Sequence, residues 1–111
     1  YSMEGLLHEA LGDQNPAVRK DAVRLLGTMI TTPEEQIRSA AALGRALKDK
    51  EEPIRMEAVR ALGNIDPNIS GKYLSKALQD NSVRVRIQVV QELREAYRRQ
   101  SGQLSTLGAN P

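Results

Sequence analysis

Apolar residues recur along this chain at intervals of three and four, as in Val18, Ala22, Leu25, Leu26 and Met29. That spacing gathers them on one side of an α-helix and not on alternate faces of a strand. The same order of positions returns three times. The first copy reads Leu7, Ala10, Leu11, Asp13, then Pro16, Val18, Arg19, Ala22, Val23, Leu26 and Gly27. The second reads Leu43, Ala46, Leu47, Asp49, then Pro53, Ile54, Arg55, Ala58, Val59, Leu62 and Gly63. The third reads Leu74, Ala77, Leu78, Asp80, then Val85, Arg86, Val89, Val90 and Leu93, with Arg94 where the other two have glycine. The three aspartates stand 36 and then 31 residues apart, so the first connection is the longer. The additional positions fall within residues 31–37, where Thr32-Pro33-Glu34-Glu35 forms a capping box with proline at the first helical position. A longer helix, and not a longer loop, is the expectation there.

Each copy predicts a first helix ending near its aspartate, a tight turn, and a second helix opening at or just after Pro16, Pro53 or Ser82. Proline fits those starts because the first helical amide has no intrahelical partner. Gly27 and Gly63 lie near the ends of second helices and predict left-handed terminations, and Asp66-Pro67 restarts the chain. The total is six helices in three antiparallel pairs, with repeats at about 2–30, 32–65 and 66–99 in a domain spanning 1–100 and a last helix running to about Arg99. From Ser101 the composition shifts to Ser, Gly, Gln, Thr and Asn with isolated Leu104 and Leu107. Residues 101–111 therefore read as a flexible tail or linker, since they offer little apolar surface to offset the entropy of ordering. One helical hairpin cannot cover its own apolar face, so successive hairpins must lie against each other, and the expected fold is an all-α solenoid.

Composition narrows the chemistry. Of 111 residues none is Cys, Trp or Phe, and the aromatics are Tyr1, Tyr73 and Tyr97. Disulfides, thiolate catalysis and cysteine-based zinc sites are excluded, and the core must come from Leu, Val, Ile and Ala. Small residues at Ala10, Ala22, Ala46, Ala58 and Ala77 suit close helix approach. No run approaches the roughly 20 apolar residues of a membrane span, and no basic-then-apolar leader opens the sequence. The reading is a cytoplasmic chain that does not enter a membrane.

The pattern Leu-x-x-Ala-Leu-x-Asp, apolar-Arg, Ala-Val-x-x-Leu-Gly, as it stands at residues 7–27 and 43–63, resembles the HEAT-like repeats of the phycobilisome-lyase type. The resemblance covers about residues 6–97. It implies a right-handed α-solenoid of three helix pairs and the role of a scaffold that binds other proteins. Relatives that act on bilin chromophores imply an alternative, an accessory subunit of a bilin-lyase-like or other multi-chain complex. Similar helical stacks that bind DNA imply a third. The third copy, with Val89 for the small residue and Arg94 for glycine, reads as a terminal one.

Three pairs recur at one offset: Asp13 with Arg19, Asp49 with Arg55, and Asp80 with Arg86. Acid-base catalysis needs such carboxylates converged in one pocket, whereas a repeat spreads them one per layer. The pairs therefore read as a structural ladder in which each Asp caps its second helix and each Arg donates to turns and carboxylates along the stack. His8 is the only histidine, and with Glu4 or Glu9 it makes a poor metal motif, so it reads as a partly exposed surface residue. No serine-histidine motif, glycine-rich phosphate loop or dinucleotide fingerprint occurs. The expectation is a non-enzyme with no cofactor and no metal.

Binding chemistry falls on the second helices, whose equivalent positions form columns across one face of a solenoid. One column holds Lys20, Met56 and Ile87, the next Asp21, Glu57 and Gln88, and the third Arg24, Arg60 and Gln91. Cationic ends interleaved with apolar and amide groups suit a protein or peptide carrying both acidic and apolar groups, though a solvated helix face has the same look. The candidate contact residues are Lys20, Arg24, Met56, Arg60, Ile87 and Gln91, with Arg94 and Arg98 extending the surface. Charge is also uneven. Residues 1–81 carry 11 basic and 12 acidic side chains, and 82–111 carry 5 and 2, a surplus supplied by Arg84, Arg86, Arg94, Arg98 and Arg99. Such an end can touch phosphates, but the lack of aromatics for base stacking puts nucleic acid behind protein as a partner. Self-association through the end repeats is a further expectation.

Overall fold

The computed structural model describes residues 1–29 and 32–108, with side chains described through Gly102. Six helices follow in order: α1 Met3–Ala10, α2 Pro16–Thr28, α3 Pro33–Ala46, α4 Glu52–Gly63, α5 Pro67–Ala77 and α6 Val83–Gly108. Among the described residues all regular structure is helical. Local signals explain the starts. A proline occupies the first or second position of α2, α3, α4 and α5. Side-chain caps accompany most of them, with Asn15 accepting from the Ala17 amide at 2.8 Å and Asp66 from the Asn68 amide at 2.9 Å. The N-cap half of the capping box is formed, Thr32 accepting from the Glu35 amide at 3.1 Å and opening a helix of 14 residues, against 8 in α1 and 11 in α5. Ile30 and Thr31 lie outside the described residues.

Two local expectations are corrected. Among the described residues no glycine has positive φ: Gly27 lies inside α2 and Gly63 is the last residue of α4, both helical and buried. A Cβ on Gly27 would stand 2.6 Å from the Ala61 Cβ and 2.9 Å from its Cα. Glycine is there because α4 presses against α2 at that point, not because the chain turns. The last helix does not stop near Arg99 but keeps its helical backbone to Gly108, so the polar composition after Ser101 did not end the hydrogen-bonded run.

The three hairpins form a slab of 55 × 36 × 19 Å, two helices thick. Its spine is the row of second helices, with α4 packed between α2 and α6, while α3 bridges α4 and α5. Leu26, Leu43, Ile54, Val59, Leu62, Ile65, Val85 and Val89 are fully buried between the layers. Burial follows the order of the layers. Position Val18/Ile54/Val85 looks toward the preceding hairpin, so Ile54 is 1% exposed while Val18, with none before it among the described residues, is 42% exposed. The shared apolar type at the three positions therefore does not give them equal burial. Position Val23/Val59/Val90 looks the other way: Val59 is 0% exposed and Val90, in the last layer, 50%. Leu25 behaves as Val18 does, and Leu93 as Val90 does.

Candidate functional site

The ladder is the best-defined polar construction in the molecule. Each aspartate folds the turn ahead of a second helix: Asp13 accepts the Asn15 amide at 2.8 Å, Asp49 the Glu51 amide at 2.9 Å and Asp80 the Ser82 amide at 2.8 Å. The cap itself is the residue two positions on, Asn15 ahead of α2 and Ser82 ahead of α6, so the aspartates close turns and do not cap helices. In each copy the arginine Nη1 donates to the carbonyl of that aspartate, at 2.8 Å from Arg19, 2.9 Å from Arg55 and 2.6 Å from Arg86. The rest of the guanidinium reaches into the next hairpin. Arg19 Nε and Nη2 meet the two Asp49 oxygens at 2.8 and 3.2 Å, and Arg55 meets those of Asp80 at 2.9 and 3.4 Å. Such forked pairs fix orientation as well as distance.

Burial pushes the Asp49 carboxyl up, but the hydrogen bonds from Arg19 and the Glu51 amide outweigh it and hold the group below the usual carboxylate range. The described series runs to Arg86, whose Nε and Nη2 meet no carboxylate among the described residues. In the first copy, the Asp13 carboxylate accepts only from the amide of its own turn among the described residues.

The candidate contact residues occupy equivalent positions on α2, α4 and α6. Their surroundings differ. Met56 is half-buried against the core, Lys20 is half-buried, and Ile87 and Gln91 are exposed. Arg24 pairs with Asp21 at 2.7 Å, Arg60 with Glu57 at 3.1 Å and Arg98 with Glu95 at 2.8 Å. The acidic column thus neutralises the cationic column beside it, each pair within one helix at a spacing of three. Arg94 is exposed and forms no such pair among the described residues. The basic surplus of the last segment is similarly engaged, with Arg84 3.7 Å from Glu52 and Arg99 donating to the Gly63 carbonyl at 3.1 Å.

Elsewhere on α6, burial pushes the Glu92 carboxyl above its ordinary range, the Gln88 amide hydrogen bond and the charges of Arg60 and Arg99 only partly opposing it. Its carboxylate lies where a Cβ on Gly63 would fall.

His8 is half-buried in α1, its Nε2 3.9 Å from Glu4 Oε1 and without a hydrogen-bond partner among the described residues. Among the described residues no group of three or more His, Asp or Glu could hold a metal ion, and no helix is long and apolar enough to cross a membrane. One feature escaped the sequence reading. A cleft of about 310 Å³ opens between α3 and α5, lined by Gly44, Arg45, Lys48, Tyr73 and Lys76 among others. Gly44 leaves room for the Tyr73 ring, whose atoms a Cβ would meet at 2.5 Å, and Lys72 Nζ lies 5.2 Å from the ring centre. Tyr73, the lone aromatic inside the repeats apart from the exposed Tyr97, is the signal that could have located it.

A family model described as HEAT repeats matches residues 3–99. A search of curated proteins finds no match.

Proposed function

The chain belongs to the HEAT-repeat family, and from that premise we propose that it is a non-catalytic scaffold that binds another protein along the row of second helices. HEAT repeats generally mediate protein–protein interaction. The observation that carries the reading is the layout of the row. Arg24 and Arg60 stand beside Lys20, Met56 and Ile87 on three helices held at fixed spacing by the ladder. A rigid row of this kind presents apolar contact area and cationic donors together, which suits a helix or loop with interleaved acidic and apolar side chains. Arg94 and Arg98 extend the row along α6. Asp21 and Glu57 already satisfy Arg24 and Arg60, so an acidic partner competes with them and gains specificity more than affinity from those contacts.

The test is affinity capture from the source cell followed by identification of the retained chain, with binding then measured on purified components. Simultaneous Arg24→Glu and Arg60→Glu substitution replaces the two cations beside Asp21 and Glu57 with acidic groups and should reduce capture of that partner at least tenfold with helical circular dichroism unchanged. Undiminished capture would remove this row from consideration. A steep fall of affinity for a DNA duplex between low and physiological salt would instead move the assignment to nucleic acid.

A further inference from the structure

Cations are provided for differently in the two layers of helices. On the second helices Arg24, Arg60 and Arg98 each have a carboxylate three residues earlier in the same helix, at 2.7, 3.1 and 2.8 Å. The first helices α3 and α5 lack that provision. Residues 40–48 and 67–79 contain Arg45, Lys48, Lys72 and Lys76 and no Asp or Glu. All four are exposed, and none meets a carboxylate among the described residues. Arg45, Lys48 and Lys76 line the cleft of about 310 Å³ between α3 and α5, and Lys72 Nζ stands 5.2 Å from the centre of the Tyr73 ring. The acid in the cleft wall, Asp80, is already engaged, by Arg55 at 2.9 and 3.4 Å and by the Ser82 amide at 2.8 Å. Between the cations the surface is apolar, formed by Leu47, Ala77 and the Tyr73 ring, which rests on Gly44 where a Cβ would be 2.5 Å away.

Like charges around a concave, partly water-excluding surface focus their field on whatever enters it, so the complement of this cleft is an anion. The positive charge is local. Glu9 holds in α1 the place that Arg45 and Lys76 hold in α3 and α5, and Glu34 and Glu35 occupy the first turn of α3. A nucleic-acid backbone is a long line of phosphates and draws on a continued track of cations. A short charged rim around an apolar centre fits a peptide instead. We infer that the cleft between α3 and α5 docks an acidic segment of a partner protein, an apolar side chain of the segment lying against Tyr73 while the carboxylates beside it meet Arg45, Lys48 and Lys76. This surface lies in the layer of first helices, apart from the row of second helices, and gives the scaffold a second place to hold a partner. No carboxylate has to be displaced from these cations, so the contacts add to affinity where those of the row exchange one partner for another.

The experiment selects short random peptides displayed on phage against the purified 111-residue chain and titrates the recovered sequences, synthesised with a fluorophore, by anisotropy. Peptides with two or more Asp or Glu flanking a Leu, Ile or aromatic residue should be enriched. The double variant Lys48→Glu, Lys76→Glu changes two exposed side chains that no fold contact uses, and should weaken their binding by roughly tenfold or more. Gly44→Ala keeps every cation but forces the Tyr73 ring from its seat, and should weaken the same peptides. Arg24→Glu with Arg60→Glu should leave them bound as before, so loss of the row as a binding surface and loss of the cleft are separate results. Recovery of no acidic peptide that depends on Lys48 and Lys76 would overturn the inference. So would peptides indifferent to Gly44→Ala, or a DNA duplex that binds the parent more tightly than any peptide and is released by the same lysine changes.

Discussion

Two glycines in this molecule occupy the same kind of backbone and differ in what stands opposite. Gly27 and Gly71 are both helical, and neither has positive φ. Replacing either by alanine should therefore recover the same helix propensity, about 1 kcal/mol. At Gly71 a Cβ meets nothing within 4 Å, so Gly71→Ala should keep most of that gain and stabilise the fold by about 0.5–1 kcal/mol. At Gly27 the added methyl would lie 2.6 Å from one atom of Ala61 and 2.9 Å from its Cα. Ala61 has no side chain to rotate away, so α4 as a whole must move off α2. Overpacking of that kind costs about 2–3 kcal/mol, which leaves a net loss of about 1–2 kcal/mol after the propensity gain. In a domain of this size that is a fall in Tm of roughly 5–10 °C. Urea denaturation of the three proteins, followed by far-UV circular dichroism, separates the cases if the slope of the transition is unchanged. A Gly27→Ala protein as stable as the parent, or a Gly71→Ala protein less stable, would refute the view that these glycines are set by helix-to-helix distance.

The remaining expectations concern the ladder, the buried carboxylate and the capping box. Asp49→Asn should leave Arg19 without its charge partner and lower the melting temperature by several degrees at pH 7. Because the Asp49 pKa is held down, its contribution is complete above the ordinary carboxylate value and fades as pH falls through the lower folded value, so the two melting curves should converge in strong acid. Glu92 has the opposite sign: its pKa is raised, so the fold favours the protonated form and loses that contribution as pH rises. Glu92→Gln should therefore be the more stable protein near pH 7, with the difference gone below the ordinary carboxylate range; a less stable variant at neutral pH would show that the charges of Arg60 and Arg99 outweigh burial. Thr32→Ala, which removes the acceptor for the Glu35 amide, should cost about 1 kcal/mol in the same urea assay.

The sequence disclosed what depends on near neighbours in the chain. The prolines at 16, 33, 53 and 67 marked helix starts, and the repeated apolar positions identified Ile54 and Val85 as buried. Features that depend on which hairpin lies next to which were hidden. Val18 matches Ile54 in type and position, yet it is exposed because burial there comes from a preceding layer. Gly27 looked like a helix terminator, since nothing local reveals that Ala61 will stand against it. The pairing of Arg19 with an aspartate 30 residues away is likewise set by stacking. The neutralisation of Arg24 and Arg60 was within reach, because Asp21 and Glu57 stand at the helical spacing of three that brings side chains together. The helical continuation to Gly108 had no counterpart in composition.

A body 19 Å across has no deep interior, and among the described residues only α4 has a second helix on each flank. An opening fluctuation at either edge of the slab can free α1 and α2, or α6, and leave the middle hairpin standing, whereas exposing the amides of α4 requires both flanks to depart. Deuterium should therefore enter α4 last, and its uptake there should report the unfolding of the whole molecule, while the outer helices exchange through smaller, cheaper openings.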